Sequence, residues 1–159
     1  MARGFDLTGI YTKIDELVEA YRKELESQGI NCSGLLSNSA SNYTLTDNNG
    51  LIEIVFNLAP HWVYVENGRK PGKQPPTDVI ERWIQQKPVT LYADPKTGKV
   101  PTLHQAAFLI ARSIGRNGIQ GRHPMANVLA GPGVQILQDI TQDLANQLGR
   151  RIQTHIKIN

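Results

Sequence analysis

The 159 residues suffice for one ordinary core, and 40% apolar with 19% charged residues fits a folded protein carrying fewer charges than the roughly 25–35% of a well-solvated monomer surface. The single cysteine, Cys32, excludes an intrachain disulfide and a cysteine metal cluster, and no apolar run reaches the ~18–20 residues of a membrane span. The formal charge of +3 divides unevenly: residues 1–95 carry nine Lys/Arg against twelve Asp/Glu, a net −3, and residues 96–159 carry eight against two, a net +6.

Opposed halves of this kind fit head-to-tail pairing between copies, or a basic part facing DNA. No Lys/Arg run exceeds two residues, so the nucleic-acid reading is the weaker. Much of the polar complement is Asn, Gln, Ser and Thr, which are desolvated at lower cost than charges, as suits a protein embedded in an assembly. No break in composition divides the chain, so a single domain over 1–159 is expected, and Met1 to Asp6 lacks the apolar segment of a secretion signal.

Residues 9–28 are predicted as a helix, with Ile10, Ile14, Leu17, Val18, Tyr21 and Leu25 on one face, Asp6 or Thr8 as cap and Gly29 as stop. Ser33 to Ser37 fits a short helical turn. Tyr43–Thr46 and Leu51–Phe56 flank Asp47-Asn48-Asn49-Gly50, the signature of a hairpin whose better apolar face carries Ile52, Ile54 and Phe56. His61 to Glu66 is too short for periodicity to separate a helix from a third strand.

Residues 64–76 read Tyr-Val-Glu-Asn-Gly-Arg-Lys-Pro-Gly-Lys-Gln-Pro-Pro, a rigid cationic elbow. It is not a nucleotide-phosphate loop, because its prolines remove amides and no Gly-Lys-Ser/Thr opens the following helix. Arg69, Lys70 and Lys73 have three outlets: a neighbouring subunit, a phosphate backbone, or solvent, with the first favoured. A helix over 78–87 is predicted next, capped by Thr77 and turning Val79, Ile80, Trp83 and Ile84 inward.

Between Pro88 and Pro101, the turn Asp94-Pro95-Lys96-Thr97-Gly98 joins two extended pieces, which predicts a protruding β-arm stabilised by a neighbour. A helix over 103–117 follows, with Thr102 and Gln105 as a capping box and Gly115 and Gly118 loosening and ending it. Met125 to Ala130 fits a further helical turn. The last helix is predicted over 134–149 with Gly149 as its cap, then a strand in which Ile152, Thr154, Ile156 and Ile158 alternate with polar residues.

The four histidines have no metal-ligand spacing. His61 and His123 fit packing or loop contacts, and Glu66 fits an ion pair orienting Arg69 or Lys73 better than a general base. No pair of carboxylates points to acid–base hydrolysis. No catalytic, metal or cofactor-binding residue is therefore predicted, and the expected fold is α/β in the α+β sense: a small antiparallel sheet packed by amino-terminal, central and carboxy-terminal helices, with an arm at 88–101.

The elbow 64–76 with Ile80-Glu81-Arg82-Trp83-Ile84 resembles the signature of tailed-bacteriophage minor structural proteins of head-to-tail joining and tail completion. Ser33 to Ser37, Ala106 to Ile114 and the loop Gly118-Ile119-Gln120-Gly121-Arg122-His123-Pro124 are similar to further elements of that family, with Met125 in place of its usual aromatic. The resemblance spans about residues 31–130. It implies a non-enzymatic virion subunit in the neck or at the tail top, assembled in the bacterial host cytoplasm. The implied assembly is a ring of six or twelve copies that contacts portal, adaptor or tail-tube proteins and lets DNA pass. The expected interface residues are Glu66, Arg69, Lys70, Lys73, Tyr92, Lys96, Lys99, Arg122 and His123. The alternative is a basic module that binds nucleic acid or an acidic protein, without catalysis.

Overall fold

The computed structural model describes residues 5–30, 33–48, 51–87 and 89–153. Helix α1, Thr8–Ser27, buries its predicted stripe completely: Ile10, Ile14, Leu17, Val18, Tyr21 and Leu25 are each at most 4% exposed. At about 1.5–3 kcal/mol for each large apolar side chain removed from water, this face anchors the larger of two cores. The Thr8 amide donates to Asp6 Oδ1 at 3.0 Å, which satisfies one orphan donor of the first turn.

Helix α2, Leu35–Ser39, leads into the hairpin of β1, Tyr43–Asn48, and β2, Leu51–Phe56. The antiparallel register Asn48↔Leu51 leaves residues 49 and 50 as the connection, and these lie outside the described residues. Ile54 and Phe56 pack on the larger core, while Leu51 and Val55 face outward. His61 to Glu66 resolves as helix: α3 is Trp62–Asn67.

The chain leaves the larger core through the two-residue strand β3, Gly68–Arg69, and builds α4, Thr77–Gln86, and α5, Leu103–Asn117. It returns through β4, Ile119–Gln120, which pairs antiparallel with β3. The pair α4–α5 has a core of its own, in which Ile80 and Ile84 meet Ala106, Ala107 and Ala111. The alanines let the two helix axes approach closely. Helices α6, Pro124–Ala130, and α7, Pro132–Gln153, complete the larger core through Val128, Ile136 and Ile140. The architecture is thus α+β, with a second helical layer inserted between β3 and β4.

Several local expectations are corrected. Thr77 lies in the first turn of α4 and makes no cap bond, the N-cap being Pro76; Val79 and Trp83 stay 45% and 38% exposed. Residues 89–101 form no strand, so the arm is not a β-arm: Asp94 and Lys99 close a turn with one backbone bond of 3.0 Å, and no ladder continues from it. Val89 and Leu91 instead pack on the α4–α5 core. Helix α7 runs through Gly149 to Gln153, taking up Ile152 of the expected terminal strand; residues 154–159 and Cys32 lie outside the described residues.

Candidate functional site

The elbow and the 118–124 loop, distant in sequence, meet as the neck between the two cores. Their pairing, Gly68↔Gln120 and Arg69↔Ile119, brings the backbones closer than side chains would allow. A Cβ on Gly118 would collide with the Arg69 carbonyl oxygen, one on Gly68 with that of Ile119, and one on Gly121 with that of Glu66. Gly68 and Gly118 also adopt φ of +74° and +73°, which L side chains rarely take.

Gly115 has a different role from the expected loosening of α5. The elbow crosses the helix there: the Gly72 amide donates to the Gly115 carbonyl at 2.8 Å, and a Cβ on Gly115 would lie 3.2 Å from Gln74 Cα. The elbow is therefore rigid for two reasons, its own prolines and its seat on α5.

Glu66 is buried, and its carboxylate forms no ion pair with the elbow cations as expected. It accepts from the amides of Met125 at 2.9 Å and Ala126 at 3.0 Å, capping α6. The preceding residue, His123, makes this possible by adopting φ +51°, and its amide donates to the Glu66 carbonyl at 3.3 Å. Burial, and then the negative charge of Glu66, push the Tyr21 phenol up to about 12.

Two of the expected interface cations are likewise engaged within the chain. Arg69 folds back to donate to the Lys73 carbonyl, closing the elbow. Arg122 donates to the Gln28 carbonyl at 2.6 Å, and Gln28 Nε2 returns a bond to the Arg122 carbonyl at 3.3 Å, tying the loop to the end of α1. Glu66, Arg69 and Arg122 thus hold the neck together. Lys70, Lys73, Tyr92, Lys96, Lys99 and His123 are exposed and available to a partner.

The arm tip is organised by Asp94, whose Oδ1 accepts from the amides of Lys96 at 2.7 Å and Thr97 at 3.0 Å, bonds that hold its carboxyl below the usual range. Tyr92 stands 79% exposed beside it. A feature the sequence reading passed over is the outward face of α5, where Phe108 and Leu109 are 44% and 57% exposed next to exposed Arg112 and Arg116. The spacing 108, 112, 116 marks it as one helix face.

Among the described residues no cluster of His, Cys, Asp and Glu is arranged to hold a metal ion, and no helix is long and apolar enough to cross a membrane. No protein-family model, curated protein or solved structure matches the chain.

Proposed function

We propose that the chain is a structural subunit of a tailed-bacteriophage virion, self-associating into a ring in the neck or at the tail top. The observation that carries this reading is the neck itself. The two segments in which the family resemblance is most specific are the two that pack together there, through glycines that admit no side chain.

A ring needs subunits whose two contact surfaces stand at a fixed angle, since rotation between them decides whether the assembly closes. A neck bound by paired strands, the Glu66 cap and the Arg122–Gln28 bonds supplies that stiffness between the cores. The exposed Trp83, Tyr92, Phe108 and Leu109 supply apolar area for contact with neighbours. Portal, adaptor or tail-tube proteins are the stacked partners on this reading, and exposed Lys70, Lys73, Lys96 and Lys99 face acidic neighbours or passing DNA.

Native mass spectrometry of the purified chain, with electron cryomicroscopy of particles containing it, tests the proposal. Closed rings of six or twelve copies, or density at the head–tail junction, are expected. A chain that stays monomeric at all concentrations and joins no particle overturns it; such a chain that still binds duplex DNA or an acidic protein is the basic module instead.

A further inference from the structure

The surface of α1 turned away from its apolar stripe forms one wall of a groove of about 770 Å³, with α6 and the start of α7 as the other. Thr12, Asp15, Glu16, Glu19, Lys23 and Ser27 recur along this wall at helical spacing, so the rim is mainly acidic. The floor is apolar, made by Ala20, Val128, Pro132 and Ile136. Glu16 is shared with Lys13 and Glu19 with Arg22, but both carboxylates are solvent-exposed and exchange partners at little cost.

The outward face of α5 has the opposite character. Ala106, Ala107 and Ala111 turn toward α4, leaving Phe108, Leu109, Arg112 and Arg116 on the far side of the helix. Neither arginine forms an ion pair with another described residue, and the elbow, crossing α5 at Gly115, brings exposed Lys70 and Lys73 to the same end. Apolar anchors beside unpaired cations match an apolar floor beneath an acidic rim.

The lengths agree as well. The α1 wall from Thr12 to Ser27 and the 15-residue α5 each span about 22 Å at ~1.5 Å per residue. Helices α1 and α5 belong to separate cores and are not packed on each other within one copy.

We infer that the occupant of the α1 groove is α5 of a second copy, giving a head-to-tail contact that repeats around the ring. This rests on the ring reading above and adds to it which surfaces meet. The contact is heterologous, so each subunit offers one groove and one helix, and the rigid neck fixes the angle between them. Arginine at the rim gives register through its planar fork, while Phe108 and Leu109 exclude water from the floor.

Two full-length double variants test the pairing: Glu16→Lys with Glu19→Lys in the groove, and Arg112→Glu with Arg116→Glu on α5. Each alone is expected to raise the concentration for half-assembly at least about tenfold, because like charges then face each other. Mixed one to one, they are expected to regain rings of alternating copies, since the unchanged groove takes the unchanged helix and the reversed groove takes the reversed helix. The chain carrying all four reversals is expected to regain rings.

The groove reversals place cations beside Lys13 and Arg22, so the milder pair Glu16→Gln and Glu19→Gln is measured in parallel, with a smaller loss in the same direction expected. Wild-type rings together with unchanged assembly of every variant overturn the groove–helix pairing and leave the ring reading standing. Unchanged rings with lost duplex-DNA binding by the α5 variant give this face to DNA and overturn the pairing too. A wild-type chain that never associates removes both.

Discussion

The Glu66 carboxylate accepts the Met125 amide at 2.9 Å across 59 residues of sequence, so α3, where the elbow begins, caps the helix that follows the return loop. With the Ala126 amide on its other oxygen, one buried side chain satisfies two orphan donors at the start of α6. Glu66→Ala leaves both without a protein partner in a half-buried site and is expected to cost about 1–3 kcal/mol in chemical denaturation. Glu66→Gln retains one acceptor and is expected to lose roughly half as much. A loss in Glu66→Ala no larger than that of an exposed substitution would remove the cap from the account of the neck.

Glycine contributes differently at Gly118 and Gly98, although both have positive φ, +73° and +64°. A side chain on Gly98 meets nothing within 4 Å, whereas one on Gly118 runs into the Arg69 carbonyl and lies 3.0 Å from Pro71 N. Gly98→Ala should therefore cost only the left-handed penalty of about 1–2 kcal/mol. Gly118→Ala should cost more, upwards of ~3 kcal/mol, because β3 and β4 must also separate. Thermal melts of the two variants side by side measure the difference, and equal shifts would mean that the close approach carries no weight.

What the sequence revealed, and what it hid, follows the range of the interactions. Helix α5 was readable to the residue because Thr102 and Gln105 form their capping box locally, as they do in the structure. The α1 stripe was readable because period alone decides it. Gly149 misled because an exposed glycine inside a helix costs only about 1 kcal/mol, and α7 continues past it. Gly115 misled because its reason, Gln74, arrives from another segment. The elbow's rigidity was legible in its prolines, but not the fate of its charges: Arg69 turns back to Lys73, and Glu66 turns to α6. The α1 groove was hidden since its second wall comes from α6 and α7, over 100 residues on.

Tyr21 predicts an alkaline limit to stability. Its phenol is pushed up to about 12 in the folded chain, by burial first and by Glu66 second, against about 10 when unfolded. Between those values the folded state holds a proton that the unfolded state has released, so stability falls as pH rises. The contribution is full below about pH 10 and is lost through about pH 12. Tyr21 is expected to titrate late in the ultraviolet absorbance of tyrosinate. Tyr21→Phe should abolish that late step and flatten the alkaline decline relative to wild type. A single tyrosine transition near pH 10 that includes Tyr21 would contradict the buried phenol.

Lys70 and Lys73 are the elbow cations left exposed once Arg69 has closed the turn. Neither packs in a core, so Lys70→Gln with Lys73→Gln is expected to leave the melting temperature within about 2 °C of wild type. Their charge instead stands at the carboxy-terminal end of α5, where Gly72 is bonded to Gly115. If they face carboxylates of a neighbouring copy, the double variant assembles less readily, and its assembly depends less steeply on salt because fewer charge pairs remain to be screened. Weaker ring formation with an unchanged melt is the expected result, read by light scattering over a salt series. Normal rings that release DNA more slowly would place these lysines on the channel wall, where they contact phosphate without reading bases.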